Sequence, residues 1–364
     1  MNNKLYTGNH YSEMEQISSK LVFGTHHNPI PLLTVAIPAY KRRETLKETL
    51  CCLLNQKGFD DYEIVITDDE VNDNPESTEV FATVKEINNP KIVLYHNEKN
   101  LGVVHNWNRC LFLSKSKYVC TLDDDDLVDS YYLSEMMGIL QKHNEIDFLG
   151  AKWCYYNHEK KEPIVQPKSE KTGVFSSFVG KVEKRINGKL TRIDYLLSYP
   201  HIAFLLSGAI IKKDVAIKMG GFNPDWYPSM DYGFICEGAL FCNTYVYNKL
   251  LCYSRLHENT SGKPDSVKRF CSSDYLIHDS LVSSFHLLSR WSVRVSNAQM
   301  IKTQLEGLNS FWGTNVTIKD VDELLPINLE RELKCRAKKH LSHIYLKLLS
   351  LKKAKREIHN TIEI

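Results

Sequence analysis

The sequence predicts an α/β fold: a mostly parallel sheet with helices on both faces, plus a helical C-terminal extension. Short apolar, β-branched runs alternate with amphipathic helical patterns over about 110 residues. Acidic clusters follow two of those runs, at the strand ends where open α/β sheets bind ligands. Beyond about residue 263 the apolar spacing turns helical.

Residues 1–30 read as a polar lead-in with weak helical character, lacking the basic-then-apolar order of a secretion signal. "LLTVAIP" (32–38) is a buried strand stopped by Pro38. Leu46, Leu50, Leu53 and Leu54 then recur at helical spacing. "YEIVIT" (62–67) and "KIVLYHN" (91–97) are the second and third strands. Val104, Trp107 and Leu111 stripe a helix over 103–114. "YVCTL" (118–122) is the fourth strand, and Leu133, Met136, Met137 and Leu140 line the helix after it. Residues 126 to about 262 complete the sheet. Within them "HIAFLLSGAII" (201–211) reads as a buried strand with a glycine near the crevice. The Gly/Ser/Lys-rich segment 168–189 reads as a mobile loop over the site.

A chain of 364 residues has room for about two domains, and 43% hydrophobic with 25% charged residues is ordinary for a globular protein. Ten scattered cysteines without a CxxC pair argue against a zinc ribbon or a dithiol redox motif. Cys120, Cys242 and Cys252 lie in apolar runs and read as buried free thiols in a reducing compartment. No apolar run approaches the ~18 residues of a membrane span. The expected location is cytoplasmic, or peripheral on the inner face of a membrane. No GxGxxG follows the first strand and no GxxxxGK[ST] occurs. A nucleotide would therefore be held by acidic groups through a divalent metal.

The acidic run Asp123–Asp126 ends the fourth strand. As an EF-hand it fails. Starting at Asp123, Val128 and Ser134 occupy the positions that need Gly and Glu; starting at Asp124, Asp129 replaces the Gly. Hard carboxylate oxygens suit Mg²⁺ or Mn²⁺. A second reading is an acidic turn capping the next helix through Asp129 or Ser130.

"LTVAIPAYKRRETLKETLCCLLNQ", "DYEIVITDDEVND", "NEKNLGVVHNWNRCL" and "KYVCTLDDDDL" occur in this order, followed by "SGAIIKKDVAIKMGGFNPDWYPSMDYGF" and "YSRLHENTSG". The set resembles the family-2 glycosyltransferases of the Rossmann-like GT-A fold, inverting enzymes of bacterial surface-polysaccharide type, over about residues 32–262. The resemblance implies that Pro38 and Tyr40 line the base and ribose pocket and that Asp69 accepts the imide proton of a uracil. It implies that Asp123 and Asp125 form the D-x-D pair. Asp125 would bind the metal, Mn²⁺ or Mg²⁺, and Asp123 or Asp124 the ribose or the metal's waters. Asp231 matches the catalytic base, with Asp225 in reserve, and His257 matches a histidine of the metal or diphosphate site. Glu70 and Val71 stand where the family often has Gly-Ser. Trp107 replaces a common basic residue, and Met230 replaces a Glu before the base.

The implied organisation is a lead-in (1–30), a GT-A domain (31–262, with a nucleotide-sugar half over 31–125 and an acceptor half over 126–262) and a helical region (263–364). The implied activity is metal-dependent transfer from a UDP-sugar to a hydroxyl of a glycan or lipid-linked saccharide, as in O-antigen or capsule biosynthesis. A nucleotidyltransferase is the nearest rival, disfavoured because "PAYKRRE" has no glycine for a triphosphate. A non-catalytic sugar-binding relic of the fold is another. Between Lys334 and Arg356 the chain carries nine Lys or Arg and no acid. This helix is read either as binding an anionic membrane surface or as packing its apolar face on the domain. An acidic crevice excludes nucleic acid as the ligand.

Overall fold

A computed structural model describes residues 8–164, 184–194, 197, 203–256, 262–281, 287–334, 342 and 356–364. His257, most of the basic tail helix and most of the loop expected at 168–189 lie outside the described residues.

The described strands are β1 (Ser19–Phe23), β2 (Leu33–Ala39), β3 (Tyr62–Asp68), β4 (Ile92–Asn97), β5 (Tyr118–Thr121), β6 (Leu127–Val128), β7 (Phe148–Asn157), β8 (Glu162–Ile164), β9 (Leu190–Ile193), β10 (Ala209–Lys212), β11 (Thr244–Leu256) and β12 (Thr361–Ile362). They join in one sheet of order β1-β4-β3-β2-β5-β10-β7-β11-β9-β12, with β6 on β11 and β8 on β7. The run β4-β3-β2-β5 is parallel, as is the pair β7-β11. Antiparallel β10 joins these two parallel parts.

The described helices are α1 (Ser12–Glu15), α2 (Arg43–Leu54), α3 (Glu79–Ile87), α4 (Gly102–Leu113), α5 (Tyr132–Lys142), α6 (Lys213–Lys218), α7 (Met230–Phe241), α8 (Pro264–Leu281), α9 (Leu287–Trp312), α10 (Ile318–Asp322) and α11 (Leu329–Lys334). The sheet is covered on both faces, so its central strands bury both side-chain sets. On one face Leu33, Val35 and Ile37 of β2 pack with Leu46, Leu50 and Leu53 of α2 and with Leu133, Met136, Met137 and Leu140 of α5. On the other, Ala36 packs with Val104, Trp107 and Leu111 of α4 and with Phe234 and Ile235 of α7. A third cluster, including Val267, Ile301 and Leu305, holds the C-terminal helices together.

Four local expectations change. The lead-in supplies a strand: β1 pairs antiparallel with the free edge of β4, a tertiary contact that local composition does not report. Pro38 lies inside β2 rather than ending it, in register with Thr67. Its missing N–H would point toward β5, where the ladder has already ended at Thr121. The apolar run 201–211 is a strand only from Ala209. Gly208 sits at φ +86, and the Ala209 N–H turns back to the Leu206 carbonyl at 2.8 Å. Cys242 is half-buried, whereas Cys120 and Cys252 are buried.

Asn108 on α4 bridges to the segment leading into α7. Its Nδ2 donates to the Phe222 carbonyl at 2.9 Å, and its Oδ1 accepts from the Phe222 N–H at 2.7 Å, both fully buried. Asn108→Ala leaves two backbone groups without partners in a dry interior. The expected cost is about 2–4 kcal/mol, read as a lower midpoint in urea at unchanged slope.

Candidate active site

The strand ends of β2, β3 and β5 bring the acidic segments to one edge. The Asp69 N–H donates to the Ala39 carbonyl at 3.0 Å, and the Tyr40 N–H donates to Asp124 Oδ2 at 3.3 Å. The chain after β5 is pinned by Leu122 N–H to the Ala36 carbonyl at 3.1 Å and by Asp123 N–H to Ser207 Oγ at 3.0 Å. The four aspartates then alternate: Asp124 and Asp126 are buried, while Asp123 and Asp125 are half-buried at the crevice.

The two inward carboxylates have dedicated partners. Asp124 takes Arg42 Nη1 at 3.1 Å besides the Tyr40 N–H, and Asp126 Oδ1 takes the Arg255 N–H at 2.9 Å. Arg255 is itself buried. Its Nε donates to the Asp125 carbonyl at 2.6 Å, and its Nη1 pairs with Glu48 of α2. Thr49 Oγ1 holds the Asp126 carbonyl at 2.9 Å. Burial, and then the charge of Asp125, still pushes both Asp124 and Asp126 up to about 7.

Asp125 Oδ2 accepts from Arg42 Nη1 at 2.5 Å. Arg42 reaches both acids from a backbone in which Lys41 and Arg42 stand at φ 62 and φ 56. Two successive non-glycine residues in the left-handed region cost about 1–2 kcal/mol each, so the surrounding structure must hold them there. Arg42 was not singled out in the sequence. Its signal was the basic "YKRRE" directly after the first strand.

Asp123 is different. Burial pushes its carboxyl well above the usual range, and the charges of Asp126, Asp125, Asp124 and Asp231 act in the same direction. Asp231 is the second residue of α7, half-buried, with its pKa raised by burial against the lowering effect of its own and the Tyr232 N–H groups. Trp226, Tyr232 and Phe234 near it are buried, whereas Tyr227 and the reserve candidate Asp225 are exposed.

Asp69 is buried and strongly held. Its Oδ1 accepts from the Leu101 N–H at 2.7 Å and from Asn97 Nδ2 at 2.9 Å, and its Oδ2 accepts from the Gly102 N–H at 2.9 Å. It therefore ties β3 to the start of α4. Burial raises its pKa, and these donors oppose the rise. The Tyr40 ring is 49% exposed, with Lys41 Nζ 5.4 Å from its centroid, and Pro38, two residues earlier, is half-buried. The turn that ends β5 does not cap α5 as a simple acidic N-cap. Tyr131 holds that position without a side-chain bond, and Asp129 Oδ1 accepts the Tyr131 N–H at 2.9 Å.

Among the described residues no group of three or more metal-ligating side chains converges. Ions such as Mg²⁺ need only one or two protein carboxylates when phosphates and waters complete the shell. Asp123 and Asp125 on the crevice side fit that demand: they are hard oxygen donors crowded by like charge, with Arg42 the cation bonded to Asp125.

The family model described as Glycosyl transferase family 2 matches residues 34–204. The chain is 34% identical over 240 residues to the GalNAc(5)-diNAcBac-PP-undecaprenol beta-1,3-glucosyltransferase of Campylobacter jejuni, covering 65% of this chain and 67% of that protein. The chain belongs to glycosyl transferase family 2. This family-2 enzyme is also 34% identical over 122 residues to the poly(ribitol-phosphate) beta-N-acetylglucosaminyltransferase TarP of Staphylococcus aureus, covering 33% of this chain. It spans 36% of TarP, 48% of an uncharacterised glycosyltransferase of Methanocaldococcus jannaschii and 17% of the chondroitin synthase of Escherichia coli. In fold it resembles S. aureus TarS 1-349, solved with UDP and with UDP-GlcNAc, at TM-score 0.54 and 16% identity over 89% of this chain and 90% of that one. It also resembles the mannosyltransferase PcManGT of Pyrobaculum calidifontis, solved with GDP-Man and Mn²⁺, at TM-score 0.52 and 13% identity over 94% and 92%. The GT-A-like sheet expected from the sequence is thus present.

Buried carboxyls raised to about 7 give this enzyme a pH-dependent stability. Asp124, Asp126 and Asp274 ionise near 3.8 when unfolded and near 7 when folded. Between those values the folded state binds more protons, so stability falls as pH rises. The ligand-free chain is expected to lose thermal stability from about pH 4 to about pH 7 and to level off above. A melting temperature that rose through this window would contradict the assignment.

Proposed function

We propose that this enzyme transfers a sugar from a UDP-sugar to a hydroxyl of a glycan or lipid-linked saccharide in surface-polysaccharide assembly, with inversion at the anomeric carbon. The observation that supports the reading is the charge interaction of Asp231, on α7, with Asp123, after β5, two half-buried acids from separate elements. The names of the relatives, which act on undecaprenol-linked and ribitol-phosphate acceptors, support the acceptor class.

In this reading Tyr40 and Pro38 border the nucleoside, and Asp69 Oδ2, which holds a single backbone donor, accepts the imide proton of uracil. Asp123 faces the ribose or the metal's waters, while Asp124, turned inward, holds Arg42 and the Tyr40 N–H behind it. Asp125, with His257, would hold Mn²⁺ or Mg²⁺, and the ion would supply Lewis-acid stabilisation of the departing diphosphate. Arg42, freed from the carboxylates by the donor, offers its guanidinium to the same oxygens. The acceptor oxygen attacks the anomeric carbon as the bond to the phosphate oxygen breaks. Its proton passes to the Asp231 carboxylate, and UDP carries away the bonding pair. Burial raises the basicity of Asp231, which suits a group that must collect a proton near neutral pH.

Melting the protein against a panel of nucleotide sugars, with Mn²⁺ and after chelation, identifies the donor; UDP-sugars are expected to stabilise it only with metal. Asp231→Asn should cut transfer by about 10²–10⁴-fold while donor stabilisation persists. Asp125→Asn should abolish the metal-dependent stabilisation itself. Near-normal transfer by Asp231→Asn would remove it as the base.

A further inference from the structure

The C-terminal helices touch the site from behind. Two polar chains run from α9 through α8 to the first turn of α7, and they end on the residues that bracket Asp231. In the first, Asn297 Oδ1 meets His278 Nδ1 at 2.8 Å, and His278 Nε2 meets the Tyr232 hydroxyl at 2.8 Å. With Asn297 accepting, Nδ1 carries the imidazole proton and Nε2 accepts from the tyrosine. In the second, Gln304 Nε2 donates to Asp274 Oδ2 at 2.5 Å, and the Ser229 hydroxyl acts on the same carboxyl, lowering its pKa against burial. Asp274 and His278 are four residues apart on α8, so they share one face of that helix. One residue before Asp274, Ser273 Oγ donates to the Trp226 carbonyl at 2.5 Å. Trp226 in turn packs on Gly233, where a Cβ would lie 2.2 Å from its ring.

Asp274, His278, Asn297, Ser229 and Tyr232 are buried, and Gln304 is half-buried. An apolar seam would hold two helices together more cheaply than these hydrogen-bonding side chains. Polar chains that end on one short turn fix the direction of that turn instead. We propose that Asp274 and His278, held by Gln304 and Asn297, are positioning residues that set the orientation of the first turn of α7 and so aim Asp231 at the acceptor hydroxyl. The inference rests on Asp231 being the base. The charge of Asp231 acts on Asp274 as it does on Asp123, which couples the aspartate both to the acids after β5 and to α8. Burial first, and then the charge of Asp231, raises Asp274 to about 7, with Ser229 and Gln304 acting the other way.

The test uses the full chain and follows Mn²⁺-dependent UDP release from UDP-GlcNAc and from UDP-glucose, together with amide hydrogen exchange. Ser229→Ala with Tyr232→Phe removes one hydroxyl from each chain. The expected result is a kcat about ten- to a hundredfold lower, with the KM for the UDP-sugar changed less than twofold. Exchange should accelerate at residues 229–233 while the rest of the sheet keeps its protection. Asp274→Asn should restore most of the kcat that Asp274→Ala loses, because the amide keeps partners for Gln304 and Ser229. Unchanged kcat, a loss confined to KM, or exchange that accelerates uniformly would each overturn the proposal. Failure of the underlying reading looks different. Asp231→Asn would then still release UDP, or no UDP-sugar would be turned over, while the exchange at 229–233 still decides whether α8 anchors that turn.

Discussion

Four adjacent carboxylates at the end of a buried strand are the constraint around which the molecule is arranged. Like charges this close, and largely out of water, repel strongly, and the chain divides them. Asp124 and Asp126 turn inward to Arg42 and to the backbone N–H of Arg255. Asp123 and Asp125 turn toward the crevice. Arg255 is buried and joined to Glu48, so the acidic loop is clamped to α2 and to the end of β11 at once. Residues distant in sequence thus hold the loop, and the negative charge left facing the crevice is what a cationic ligand or a metal-bound diphosphate would neutralise.

The same edge of the sheet collects its remaining parts by different means. Asp69 sits there because β3 runs parallel to β2 and because two N–H groups at the start of α4 and the Asn97 amide at the end of β4 grip its carboxylate. Asp231 arrives from the far half of the chain, on a helix whose entry is set by the buried Asn108 bridge on one side and by α8 on the other. The helical extension is therefore part of the support of the site as well as a neighbour of it.

Much of this was legible in the sequence. The alternation of β-branched runs and helical stripes located β2 to β5 and α2, α4 and α5, because burial on both faces leaves a period that local composition records. The acids Asp69, Asp123 and Asp125 stood out because they cluster where buried strands end, and Asp231 through the resemblance of "SMDYGF" to the family's motif. Arg42, Ser207 and Asp274 did not. Arg42 depends on a left-handed backbone that no residue type announces, Ser207 on a hydroxyl meeting a distant amide, and Asp274 on a helix in another part of the chain. The strand at Ser19–Phe23 was missed for the same reason: an edge strand with a polar face is specified by its partner.

Sequence alone determined the α/β class and the acidic strand ends, because periodicity and charge are properties of neighbouring residues, and its motifs pointed to the family by resemblance. The tertiary structure decided which carboxylates face inward and which face the crevice, how Pro38 continues its strand, and which groups stand behind Asp231. Those outcomes depend on pairings across more than a hundred residues of chain, and on the environment that each pairing creates for a charge.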